Sequence, residues 1–268
     1  MGANWNVKDP TLKGIVPYGV ADRLNLRNVL EGDGLKGVCP DITLYDLRVF
    51  NADDECDEFA ILGALQFVRY LNSSKSKRLI HGVNLSISLE HQVRSYACGR
   101  TPVCDECERL VSNGIVVVVA AGNTGYDDGS SLGLFGSYRQ SSITDPGNAE
   151  SVITVGATHR NMPHTYGVSY FSSRGPTGDG RPKPDLVAPG ERIFSTAVDN
   201  GAKTMDGTSM AAPHVSGAAA LLMARHNELI GNPHEVKQIL CGTATDLGRT
   251  SPYQGAGLLD VLRAIESV

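Results

Sequence analysis

The segment Asp206-Gly207-Thr208-Ser209-Met210-Ala211-Ala212-Pro213-His214-Val215-Ser216-Gly217 runs straight into Ala218-Ala219-Ala220. Its small residues predict a long helix from Ser209 to about Asn227, with Gly207 allowing a sharp turn into it. Ser209 then stands at the helix start, where unpaired backbone N–H groups and the positive dipole end favour a developing oxyanion. Pro213 is expected in the first turn, where its missing N–H costs little. Ala211, Ala212 and Gly217 let the helix pack closely. On the residues alone, Ser209 is either a nucleophile or a plain N-cap serine, and the second is the commoner reason for a Ser at a helix start.

Around this segment, short apolar runs alternate with helical periodicity. Ile42 to Phe50 alternates like a strand. Asp57 to Leu71 places Ile61, Leu65 and Val68 on one helix face. Leu79 to Ser88 reads as a strand, and Asp105 to Asn113 as a short helix ended by Gly114. The continuous run Ile115 to Ala121 is expected of a strand covered on both faces of a parallel sheet, and Val152 to Ala157 repeats that character. Thr124 to Ala149 has no clear period and reads as a surface or binding loop. Further helices are expected from Pro233 and from Leu258 to the end. This alternation predicts an α/β fold with a mostly parallel central sheet flanked by helices. With 268 residues and no linker, one domain is expected.

A net charge of −5 without a basic stripe argues against a nucleic-acid or anionic-membrane partner. The apolar run Ile115 to Ala121 is too short to span a bilayer. Met1-Gly2-Ala3-Asn4-Trp5 does not read as a signal peptide. The 6 scattered Cys do not form a disulfide framework and point to a reducing, cytoplasmic setting.

The Ser209 segment resembles the serine motif of the subtilase family, the subtilisin-like serine peptidases. Other blocks resemble the family in the same order. These are Gly37-Val38-Cys39-Pro40-Asp41, Ala120-Ala121-Gly122-Asn123, Phe171-Ser172-Ser173-Arg174-Gly175-Pro176, Lys183-Pro184-Asp185-Leu186-Val187-Ala188-Pro189-Gly190 and Gly255-Ala256-Gly257-Leu258-Leu259-Asp260. The resemblance implies a subtilisin-like three-layer fold and a serine endopeptidase that needs no cofactor. It implies Ser209 as nucleophile and Asn123 as side-chain donor to the oxyanion, aided by the Ser209 N–H. It also implies that Ser86, Ile87 and Ser88 form an exposed edge pairing with an extended polypeptide substrate, and that Ala120, Ala121 and Gly122 line the first specificity pocket. The residues Ile87, Ser88, Leu89 and Glu90 depart from the family's Gly-containing stretch, which puts pocket depth and preference in question.

His214 lies about 140° around the helix from Ser209 and is expected to be a packed residue, not a base. Asp185 and Asp206 read as turn and capping residues. The family's aspartate block and histidine helix have no match, since residues 1–36 contain no His. The chain therefore reads as the nucleophile-bearing C-terminal part of the domain, cut just after the histidine helix. It is a fragment, half of a split enzyme that meets its missing segment in cis or in trans, or a catalytically dead relative that only binds peptides. The undecayed blocks around Ser209 favour the first. Cys98, Cys104 and Cys107, with His91 nearby, are soft enough to hold zinc, but their spacing fits no standard module and small buried Cys are common; no metal is assigned.

Overall fold

The computed structural model describes residues 37–51, 56–73, 78–90, 92–129, 136–196 and 202–268. Its elements in chain order are α1 (Glu58–Ser73), β1 (Gly82–Leu85), α2 (Pro102–Ser112), β2 (Val116–Ala120), β3 (Tyr126–Asp127), β4 (Ser137–Tyr138), β5 (Ile153–Thr158), α3 (Pro163–Tyr166), β6 (Leu186–Pro189), β7 (Ile193–Thr196), β8 (Ala202–Met205), α4 (Thr208–Arg225), α5 (Pro233–Gly242), α6 (Ser251–Gln254) and α7 (Val261–Glu266). The central sheet runs β1-β2-β5-β6, and every pairing in it is parallel.

The β-branched run builds the layers. A strand sends alternate side chains to opposite faces. Val116, Val118 and Ala120 enter one core with α4, α5 and α7, while Ile115, Val117 and Val119 enter a second with α1 and α2. Both faces are covered, so no polar alternation is needed. Ile61, Leu65 and Val68 are the buried face of α1. Beneath them Glu106 is fully buried on α2; Arg69 of α1 and Arg109 reach its carboxylate at 2.9 and 3.0 Å.

Ile42 to Phe50 departs from expectation. Among the described residues it forms no strand, only a bridge from Phe50 to Cys56. Leu47 and Val49 still pack against the α1–α2 core, while Leu44, Tyr45 and Phe50 are exposed. Inward packing of alternate residues accounts for the pattern without a ladder. The loop from Thr124 to Ala149 carries a small antiparallel hairpin, Tyr126–Asp127 against Ser137–Tyr138. The proposed start after a histidine helix falls on residues outside the described ones, as does His91.

Asp185 is not a turn residue. Its carboxylate meets the Lys183 ammonium at 2.6 Å, the Lys237 ammonium at 2.9 Å and the Thr154 N–H at 2.7 Å. Both ammonium groups also donate to the Val152 carbonyl. The group ties the start of β6 to β5 and α5. Burial alone would raise the Asp185 carboxyl, but the two lysines outweigh it and hold it below the usual carboxylate range. Burial pulls Lys183 down to about 8, against the attraction of Asp185. A depressed carboxylate stabilises the fold above its unfolded value and loses that contribution as pH falls through the folded one. Removing the carboxylate leaves two cations facing each other in a buried site. Asp185→Ala is therefore expected to cost about 3–5 kcal/mol in denaturant titration at neutral pH, with the difference from the parent shrinking at acid pH. An unchanged midpoint at neutral pH would show that the cluster carries no stability.

Candidate active site

Helix α4 brings the site together. Gly207 precedes it with φ 154°, and Thr208 and Ser209 are its first two residues. The helix packs closely on the sheet because Ala211, Ala212, Ala218 and Ala219 are all buried in the core they share with β2, β5 and β6. Its first turn thus lies beside the end of β2, where Ala121, Gly122 and Asn123 follow the strand.

Thr208, fully buried, makes the junction. Its hydroxyl accepts the Gly122 N–H at 3.1 Å and donates to Asn123 Oδ1 at 3.1 Å. Its own N–H donates to the same Oδ1 at 2.9 Å. With Oδ1 committed to two donors, the Asn123 amide has one orientation, and its Nδ2 lies on the other side. A Cβ placed on Gly207 would lie 3.5 Å from that nitrogen. The Ser209 N–H is a first-turn donor with no partner required within the helix. Sequence reasoning missed Thr208, although it sits inside the twelve-residue segment quoted above; only its long-range partners reveal its role.

Gly122 takes φ +105°, and a side chain there would meet Thr144 Oγ1 at 2.6 Å and Ser173 Oγ at 2.9 Å. The surroundings of Gly122 therefore carry hydroxyl groups. Thr124 donates its N–H to Ser173 Oγ at 3.1 Å, and Ser88 Oγ donates to Thr144 Oγ1 at 2.7 Å. Ala121 is buried and Ala120 belongs to the core beside α4. Ala120, Ala121 and Gly122 are thus all buried, as residues at the end of an inner strand.

Ser86, Ile87 and Ser88 continue β1, which among the described residues is the outermost strand of the sheet on its side. Ile87 packs on the α1–α2 core, while Ser88 is exposed. The half-buried Ser209 donates its hydroxyl to the Ser86 carbonyl at 3.2 Å. The structure therefore brings Ser209, Asn123, Gly122 and the Ser86 edge into one neighbourhood.

His214 Nδ1 lies 2.9 Å from the Met210 carbonyl, and burial lowers its pKa. Asp206 Oδ1 accepts the Arg192 N–H at 2.5 Å, so it serves a turn and not the helix cap. Pro213 is the sixth residue of α4, one turn deeper than expected. Cys104 and Cys107 sit fully buried on the inner face of α2, where burial pushes both thiols well up and keeps them protonated. Among the described residues no three His, Cys, Asp or Glu side chains gather as metal ligands. A cavity of about 610 Å³ opens beside Asp185, His234, Lys237 and Cys241, and none of the residues around Ser209 lines it. Among the described residues no helix is long and apolar enough to cross a membrane.

Comparison with known proteins agrees with this fold. A sequence model of the subtilase family, peptidase S8, matches residues 24–258. Subtilisin DY of Bacillus licheniformis is 31% identical over 87% of this chain and 72% of its own length. Pyrolysin of Pyrococcus furiosus is 32% identical over 87% of this chain, and serine protease AprX of Bacillus subtilis 32% over 76%. The matched part is 18% of the first and 47% of the second. Among solved structures, the patellamide maturation protease PatA shares the fold at TM-score 0.66 and 22% identity, covering 88% of this chain and 78% of its own. The CspB protease of Clostridium perfringens does so at 0.64 and 20%, over 81% and 73%. The parallel sheet between two helical layers, the helix-borne Ser209 and these matches place the chain in the subtilase family, the subtilisin-like serine peptidases.

Proposed function

We propose that this chain carries the nucleophile and oxyanion site of a serine endopeptidase acting by acyl transfer on extended polypeptides. Ser209 Oγ attacks the peptide carbonyl, and the Asn123 Nδ2 and Ser209 N–H receive the charge that builds on the oxygen. The substrate backbone pairs with Ser86, Ile87 and Ser88 as an added strand, which gives affinity with little sequence demand. The observation that carries this reading is the locked Asn123 amide. A donor fixed before the reaction costs no reorganisation when charge develops.

The general base and its orienting carboxylate are a His and an Asp from outside the blocks recognised in this chain, supplied in cis or in trans. The Ser209 hydroxyl rests on the Ser86 carbonyl, and that contact favours a second reading, a peptide-binding module without chemistry. An unassisted hydroxyl is almost wholly protonated at neutral pH and a weak nucleophile.

Three measurements separate and test these readings. Residues 1–268 alone are expected to label poorly with a fluorophosphonate and to cleave peptides negligibly. Supplying a segment with the His and Asp should restore labelling, and Ser209→Ala should abolish it; no labelling even then would favour the binding module. In the active protein, Asn123→Ala is expected to lower kcat by ~10²–10³, the size known for the same kind of donor in a subtilisin, with KM little changed. Thr208→Val keeps its N–H but loses the hydroxyl, so kcat should fall by about tenfold. Full activity in Asn123→Ala would remove that residue from the oxyanion site.

A further inference from the structure

In a regular helix the Ser209 carbonyl would accept the N–H of residue 213. That residue is Pro213, which has none. Ser86 takes the place of the missing donor, and its Oγ donates to the Ser209 carbonyl at 2.8 Å. The Ser86 Oγ in turn accepts from Asn84 Nδ2 at 2.9 Å, and Asn84 Oδ1 accepts from Ser216 Oγ at 2.9 Å. The bonds leave α4 at Ser209, cross two residues of the sheet edge and return to α4 at Ser216, about two turns on. The Ser86 hydroxyl both accepts and donates, as one hydroxyl can, and the Ser216 hydroxyl shares its proton between Asn84 Oδ1 and the Ala212 carbonyl at 3.2 Å.

Ser86 therefore holds the nucleophile at two points. Its side chain grips the Ser209 backbone carbonyl, and its own carbonyl accepts from the Ser209 hydroxyl at 3.2 Å. The same residue begins the strip on which the extended substrate is proposed to lie. An alanine at 213 would close the helix turn on itself and supply an N–H that competes with the Ser86 hydroxyl for the Ser209 carbonyl. Proline transfers that tie to the sheet edge.

We propose that Ser86 is a positioning residue for acyl transfer, its hydroxyl setting the first turn of α4, and with it Ser209 Oγ, against the substrate strip. This rests on the reading of Ser209 as nucleophile. Attack is sensitive to such placement, since a displacement of about 1 Å can cost on the order of 10²-fold in rate.

The test compares kcat, KM and Tm of Ser86→Ala, Ser86→Thr and Pro213→Ala in the active protein with its base present, using a peptide amide substrate. Ser86→Ala should lower kcat by about tenfold, the rate equivalent of one well-made hydrogen bond. KM should move by less than about threefold, because the substrate still finds the strip. Ser86→Thr, which keeps the hydroxyl, should recover most of the loss. Pro213→Ala supplies an N–H that competes for the Ser209 carbonyl; Tm should hold or rise while kcat falls. A purely structural network would give the opposite, with Tm lost and kcat kept. Parent-like kcat in Ser86→Ala, or equal losses in the Ala and Thr variants, would overturn the proposal. Should Ser86→Ala fail to fold, Pro213→Ala decides, and unchanged kcat there overturns it. Activity surviving in Ser209→Ala would instead refute the nucleophile, so the two failures are distinguishable.

Discussion

The Thr208 hydroxyl, between the Gly122 N–H and Asn123 Oδ1, is the contact on which the site depends. It joins the end of a buried strand to the start of a helix, and it forms only if the two come very close. The small residues of α4 permit that approach. Gly217 meets a different neighbour: an added Cβ there would fall 2.8 Å from the Cβ of Val38, so the glycine lets the Val38 segment lie close against α4. The strand side needs Gly122 for a similar reason, with Thr144 and Ser173 occupying the space of a side chain. Close packing of the core and orientation of the Asn123 amide are thus one constraint.

Much of this was legible because it is local. The run Ile115 to Ala121 announced a strand buried on both faces, and Ile61, Leu65 and Val68 announced the inner face of α1. The placement of Ser209 at a helix start followed from the Gly207 turn and the alanines after it. What could not be read depends on partners far along the chain. Asn84 and Ser216 are separated by 132 positions, and neither looks unusual in its own neighbourhood. Asp185 read as a turn or capping residue, whereas its partner Lys237 arrives from another helix, 52 positions on. Pro213 was placed a turn too early, which hid the carbonyl it leaves for Ser86. The alternation in Ile42 to Phe50 was real as packing but gave no ladder, since periodicity reports which side chains turn inward and not what lies alongside.

Two of the clusters of buried charge are placed where segments distant in sequence must hold a fixed spacing. Glu106 joins α1 to α2 through Arg69, and Asp185 joins β6 to β5 and α5 through Thr154, Lys183 and Lys237. Such groups add little net stability compared with well-packed apolar residues, because desolvation offsets much of the attraction. They punish misplacement severely, however, since a buried charge without its partner is costly. The two clusters lie in different places, one in each helical layer, and the sheet between them carries β2 to the site.

The Asn123 amide also bears on the choice between chemistry and mere binding. A peptide-binding edge needs only the extended backbone that continues β1. It gains nothing from a side-chain amide whose oxygen is secured by two donors from Thr208. Burying a hydroxyl carries a desolvation cost, recovered only when its hydrogen bonds are made. Here that cost is met to fix which way Nδ2 faces, beside the N–H of a helix-borne serine. On the proposed reading, Nδ2 and the Ser209 nitrogen, 3.5 and 3.7 Å from where a Cβ on Gly207 would lie, suit a single partner, an oxygen that becomes negative. Such a partner arises when the Ser209 hydroxyl adds to a carbonyl, not when a peptide only rests along the strand. The fixed donors therefore support the proposed acyl transfer over binding alone, and on that proposal the remaining demand falls on a base to take the Ser209 proton from its resting place on the Ser86 carbonyl.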